Sequence, residues 1–181
     1  MNKKVIYFLI YLIIISLQNR RYIFWLPTIP IYPNNKKEVS IVERYSRENN
    51  KNQYNFFKLT DESVSYAFNF VNLSEKKIRK IIVEQNYLIV TLKYFFNRAR
   101  PHQVSDLVIK QKSNTDKTPA YPSGHAFQAY YLASKLSKLY PHLEKRLWET
   151  ADKCALCRVY AGLHYPSDNL FSKMLVKKYF N

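Results

Sequence analysis

Apolar residues recur three and four apart in segment after segment of this chain, and nowhere do they alternate with polar ones as in a half-buried strand. That periodicity, interrupted at prolines, predicts an all-α fold in a single domain. Val64, Ala67, Phe68 and Val71 mark a helical segment over Asp61–Phe70. Ser74 stands as an N-cap with Glu75 in the first turn, and Ile78, Ile81, Ile82, Tyr87, Leu88, Val90 and Leu92 carry one long helix to about Arg98. Pro101 stops it, because the residue before a proline avoids the helical region. Residues 102–121 form a polar connection. Ser123 caps a helix to about Leu139 with Phe127, Tyr130, Tyr131 and Leu136 inward, and Pro141 breaks it. Leu143–Val159 is the next helix, and Pro166 opens a last one over Ser167–Phe180. The chain has 181 residues, 47% of them hydrophobic, enough for one core or slightly more. Two cysteines exclude a disulfide scaffold, and two glycines with eight prolines exclude a collagen-like or linker protein.

The N-terminus carries a different pattern. Lys3 and Lys4 precede an uncharged run, Val5–Leu17, of 13 residues. As a helix it would be about 20 Å long, short against a bilayer core of about 30 Å. It fits the apolar region of a secretory signal, although no small-x-small cleavage pattern follows; an uncleaved anchor competes with it, and a buried N-terminal helix is the third reading. Of these, the first two bear on location. Either places the remainder outside the cytoplasm, secreted, periplasmic or held at a membrane. The expected division is residues 1–21 as signal peptide or anchor, 22–58 as linker and N-terminal extension, and 59–181 as the helical catalytic domain. Pro27, Pro30 and Pro33 make Trp25–Asn35 read as extended, and residues 36–58 are polar with weak helical periodicity.

The net charge is +16, spread over the chain without a run of like charges. Such a surface suits an anionic partner, a phosphate ester or an acidic membrane surface. No basic–aromatic alternation accompanies it, so no nucleic-acid partner is expected.

Three clusters carry chemistry: Lys93 to Arg100-Pro101, Pro122-Ser123-Gly124-His125, and Arg158 to His164 and Asp168. Both glycines of the chain fall in the second and third clusters, where a tight backbone or an amide facing a ligand would call for them. Lys93 and Arg100 are seven apart, so on one helix they would share a face to within about 20°. With Arg158 they make three cations able to oppose the charge on a phosphoryl group. Ser123 offers a hydroxyl, and Gly124 an amide at a helix start that favours an anion. His164 can act as nucleophile, with Asp168 reaching back to fix its tautomer. His125 is free to protonate a leaving alkoxide. Two histidines with different tasks match a two-step reaction through a covalent phospho-enzyme, needing neither metal nor cofactor.

These clusters resemble the three-part signature of the type 2 phosphatidic acid phosphatase superfamily: lysine, six residues, Arg-Pro; then Pro-Ser-Gly-His; then arginine, five residues, histidine, three residues, aspartate. All three parts occur in order between Lys93 and Asp168. The superfamily takes in nonspecific acid phosphatases, membrane lipid phosphatases and vanadium haloperoxidases. The resemblance implies a helical-bundle domain of the acid phosphatase and haloperoxidase type. It implies a phosphohistidine on His164, His125 as acid, and Lys93, Arg100, Ser123, Gly124 and Arg158 as the phosphate cradle. Cys157 stands where the family's third part usually has serine.

Singly, each of these residues reads as a solvated charge or a structural histidine; the joint pattern gives them meaning. His102 and His142 read as surface residues, and Cys154 and Cys157 as buried helix positions, since zinc would need two further ligands. The expectation is a metal-independent phosphomonoesterase. Its rivals are a lipid phosphate phosphatase at the bilayer and a membrane-tethered protein that binds phosphate without turnover.

Overall fold

The structure, a computed structural model, describes residues 3–18, 20–26, 28 and 31–180, with backbone alone over 12–18. Pro27 and Pro30, two of the expected breaks after the N-terminal run, lie outside the described residues. Among the described residues eight α-helices appear: α1 Lys3–Gln18, α2 Asn35–Arg47, α3 Lys51–Thr60, α4 Glu75–Val83, α5 Asn86–Phe96, α6 Gly124–Leu139, α7 Glu144–Tyr160 and α8 Pro166–Tyr179. Short 3-10 turns cover Val64–Phe68, Pro101–Gln103 and Pro141–Leu143. Among the described residues the one extended pairing is an isolated bridge between Arg21 and Arg98.

The central helix is α6. From Ala126 to Ser134 every residue except Gln128 is buried. A helix apolar on all sides must be enclosed, and α4, α5, α7 and α8 surround it. Ala126, Ala129 and Ala133 of α6 and Ala151 and Ala155 of α7 are small, which lets the two axes approach closely. Phe127, Tyr131, Leu132 and Leu136 fill the remaining space with Ile78 and Ile82 of α4 and Leu147 of α7.

One expectation needs correction. Residues 75–98 are not one helix: the chain breaks at Glu84–Gln85, where Gln85 leaves the helical region (φ −115°, ψ 14°), and α5 ends at Phe96, before Pro101 can act. Residues 36–58, polar with weak helical periodicity in the sequence, form α2 and α3, which pack on α7. Each has a narrow apolar stripe. Val39 and Val42 of α2 meet Val159 and Tyr165, and Phe57 of α3 meets Cys157, Ala161 and Leu163. Both helices are capped by asparagine. Asn34 accepts from the Lys36 amide at 2.8 Å, and Asn50 forms a reciprocal capping box with Gln53, both bonds at 3.0 Å.

The N-terminal helix α1 has 16 residues, with Val5, Tyr7, Phe8, Leu9, Ile10 and Tyr11 exposed. No helix among the described residues is long and apolar enough to cross a membrane.

Candidate active site

Lys93 sits in the last turn of α5, buried, with Nζ donating to the Pro119 carbonyl at 2.6 Å. Four residues on, Asn97 adopts a left-handed backbone (φ 46°) that ends the helix, a conformation asparagine bears better than most residues. Its amide exchanges two hydrogen bonds with the Ile23 backbone, at 3.0 and 2.9 Å. Past this turn the chain is extended at Arg100 (φ −75°, ψ 156°). Lys93 and Arg100 thus do not share a helix face; the turn at Asn97 brings Arg100 to the cavity that Lys93 lines. Arg100 Nε donates to the Thr118 carbonyl (2.9 Å) and Nη1 to the Leu163 carbonyl (3.0 Å), and Nη1 lies 3.2 Å from His164 Nε2.

The second cluster starts α6. The Ser123 hydroxyl oxygen accepts from the Ala126 amide at 3.4 Å as N-cap. Ser123 is fully buried and is not among the residues lining the cavity; Gly124 and His125 are. A Cβ built on Gly124 would make an ordinary 3.5 Å contact with Lys93 Cε, so its backbone does not demand glycine. Gly162 does: its φ is +70°, and a Cβ there would lie 2.8 Å from the Ile109 carbonyl oxygen. The two glycines thus serve different ends, one a cavity wall and the other a turn.

His125 Nε2 lies 2.9 Å from the Asp61 carbonyl oxygen. A carbonyl only accepts, so Nε2 carries the hydrogen and Nδ1 is the atom left to gain or lose a proton. His164 is held the other way. Its Nδ1 lies 3.0 Å from Asp168 Oδ2, so Nδ1 donates and the Nε2 lone pair faces Arg100. Asp168 is fully buried and also accepts from the Tyr165 amide (2.9 Å) and Arg98 Nη1 (2.7 Å).

Arg158, from the last turn of α7, stands behind the cavity rather than in its wall. Its Nη1 pairs with Asp61 Oδ1 at 2.8 Å, Nη2 donates to Thr115 at 3.2 Å, and Nε is buried without a partner among the described residues. Asp61 in turn accepts from the Ser113 hydroxyl at 2.6 Å.

These groups surround a cavity of about 250 Å³ lined by Lys93, Arg100, Gly124, His125 and His164, with Asn86, Gln128, Thr115 and Thr118 around them. Among the described residues three larger clefts, about 710, 590 and 350 Å³, lie elsewhere and share no residue with it. Electrostatics sets the cavity apart. Burial and the Arg100 and Lys93 charges push the His164 ring well below its usual range, so it is neutral at neutral pH. Burial and Arg158 push His125 down to about 3. Burial and Arg100 push the Lys93 ammonium well down, and burial and Arg158 push Arg100 down to about 10. Burial pushes the Asp168 carboxyl up, against the pull of Arg98. Burial would also raise Asp61, but hydrogen bonds from Ser113 and Arg158 hold it below the usual carboxylate range. Crowded, partly desolvated cations of this kind are relieved by an anion.

Three groups at the site carry no signal in the sequence that singles them out. They are Asp61, which holds His125 and Arg158; Arg98, which holds Asp168; and Glu38 on α2, which pairs with Arg98 at 2.6 Å. Only Arg98 had a hint, two residues before Arg100 in the same cluster. His102 is half-buried off the cavity, pushed to about 4 by burial and Lys110, and His142 lines a different cleft. Cys154 and Cys157 are buried free thiols on α7, as their spacing suggests. Cys157 Sγ lies 3.2 Å from the Cys154 carbonyl and 3.8 Å from Thr60 Oγ1, facing α3. Among the described residues, no three His, Cys, Asp or Glu side chains gather as metal ligands.

Residues 81–176, just over half of the chain, match the family model described as the PAP2 superfamily. No curated protein matches the chain.

Proposed function

From the chain's membership of the PAP2 superfamily, a family of phosphatases, we propose that it hydrolyses phosphate monoesters through a phosphohistidine on His164, without a metal. One observation carries this reading: the neutral, lone-pair nitrogen of a buried histidine opens on a small cavity walled by two desolvated cations. Lys93, Arg100 and the amides at the start of α6 would hold the phosphoryl oxygens, with Arg158 adding its field from behind. Ser123 acts here as the cap that sets those amides in place.

In the first step His164 Nε2 attacks phosphorus. The P–N bond forms, the P–O ester bond breaks, and the leaving oxygen takes a proton from His125 Nδ1. Asp168 stabilises the positive ring so formed. In the second step water attacks phosphorus, His125 Nδ1 takes its proton, and the P–N bond breaks to release phosphate. Before the first step His125 Nδ1 takes up a proton from the monoanionic ester or from solvent; the charge of the bound phosphate favours this against the burial and the Arg158 field that keep the ring neutral in the empty cavity.

Turnover of a chromogenic phosphate ester by the whole purified chain in excess EDTA is the test. Release of product, inhibited by vanadate, is expected. Phosphate binding without turnover would leave a binding protein, and activity restored only by added magnesium would mean a metal-dependent route.

A second reading has its own observation. The outward face of α5 carries no charge: Tyr87, Leu88, Val90, Tyr94 and Phe95 are exposed, and Val90 also lines the cavity. With the exposed apolar residues of α1 as signal anchor and the +16 charge, this face suits a lipid phosphate at an anionic bilayer outside the cytoplasm. Faster hydrolysis of a lipid phosphate in mixed micelles than of a soluble ester would favour it.

A further inference from the structure

We propose that Glu38 and Arg98 are a positioning pair that holds the Asp168 carboxylate against His164, so that α2, which precedes the family-matching residues, is a working part of the active site. The rate effects below rest on the hydrolase reading; the geometry does not.

Arg98 is fully buried, and each of its five N–H donors has an acceptor. Nε donates to Asn35 Oδ1 (2.8 Å), Nη1 to Ser167 Oγ (2.6 Å) and Asp168 Oδ1 (2.7 Å), and Nη2 to the Pro33 carbonyl (3.2 Å) and Glu38 Oε2 (2.6 Å). The guanidinium also stacks 3.9 Å over the Tyr165 ring. A group so committed has no donor left for a phosphate, which separates it from Lys93 and Arg100. Its five acceptors come from the approach to α2, from α2 itself and from the first turn of α8, so Arg98 ties these elements to one carboxylate.

Glu38 completes the arrangement from the other side. Its Oε1 accepts the Ser167 amide at 3.1 Å, at the N-terminus of α8, and its Oε2 accepts both the Ser167 hydroxyl and Arg98. A carboxylate there meets two unpaired needs, the free amide of a helix start and a buried cation. Charge alternates along the chain of contacts: Glu38 negative, Arg98 positive, Asp168 negative, then the His164 ring. Because Glu38 shares Arg98, Asp168 keeps more of its own charge for the imidazolium that forms during transfer. The Arg98 fork, which lysine cannot reproduce, fixes the direction of the Asp168 oxygen.

The test compares wild type with Glu38→Gln, Glu38→Asp and Arg98→Lys in the full chain, by kinetics and by the proton resonance of His164 Nδ1–H, assigned by its loss in His164→Ala. Gln at 38 turns an NH2 toward donors it cannot accept. Its downfield Nδ1–H signal should move or broaden, with kcat down by about 10- to 100-fold. KM should stay unchanged, because the contact matters in the transition state. Arg98→Lys should do the same, and Glu38→Asp should recover part of the rate. A resonance and kcat at wild-type values in Glu38→Gln would overturn the proposal. So would a fall in kcat with the resonance unmoved, which marks a merely structural loss. If Arg98→Lys fails to fold, Glu38→Gln decides alone. A wild-type chain that turns over no phosphate ester, yet shows the resonance and its loss in Glu38→Gln, would sink the hydrolase reading and keep the positioning pair.

Discussion

His164 and His125 line one cavity in opposite tautomers, and their partners set the difference. Asp168 takes the Nδ1 hydrogen of His164 and leaves the Nε2 lone pair toward Arg100; the Asp61 carbonyl takes the Nε2 hydrogen of His125 and leaves Nδ1 to titrate. Replacing each should therefore fail differently. His164→Ala should abolish any phospho-enzyme. His125→Ala should slow alkyl phosphates by roughly 100- to 10,000-fold and aryl phosphates far less, since phenolates leave without a proton. Equal losses on both substrates, measured as kcat, would make His125 a phosphate ligand instead of an acid. Of the eight signature residues, Ser123, Arg158 and Asp168 do not line the cavity; Lys93, Arg100, Gly124, His125 and His164, which do, were legible because their spacing within each cluster is short and their chemistry is shared. Asp61, Arg98 and Glu38 were not. Glu38 meets Ser167 across 129 positions and Asp61 meets Arg158 across 97, distances at which sequence proximity carries no information.

At the scale of elements, α6, α7 and α8 follow from their caps, prolines and apolar spacing almost as they stand. The divided helix at 75–96 does not, because its apolar residues continue at helical spacing through the break at Gln85. Nor do α2 and α3, whose burial rests on Val39, Val42 and Phe57, with Tyr45 and Phe56 packed alongside, in segments rich in charged and amide side chains. The turns are equally particular. Gly162→Ala must bear both a positive φ and a Cβ 2.8 Å from a carbonyl oxygen, and should cost about 1–3 kcal/mol or more in urea unfolding. Gly124→Ala meets only ordinary contacts and should unfold within about 1 kcal/mol of wild type while weakening inorganic phosphate binding. Ser123→Ala should cost about 1 kcal/mol through the lost cap. A Gly162→Ala protein as stable as wild type would contradict the turn described here.

For the whole molecule, burial of His125 beside the positive charge of one cavity links stability to pH. His125 titrates near 3 when folded, against its usual 6.5, so below 6.5 the unfolded chain binds a proton that the folded chain refuses. Stability should therefore fall as pH drops from about 6.5 toward 3, and His125→Ala should flatten part of that slope. Bound inorganic phosphate should raise the melting temperature by mass action. An identical pH slope in the two proteins would mean that His125 is not held neutral by its surroundings. The sharpest test of phosphoryl transfer through His164 is to mix the enzyme with substrate, quench in alkali during turnover, and map the modified peptide by mass spectrometry. Hydrolysis through His164 predicts one phosphoryl group, lost in acid and kept in alkali, on the peptide that contains His164 and absent from His164→Ala. A phosphoryl group on any other residue, or steady turnover by His164→Ala, would contradict it.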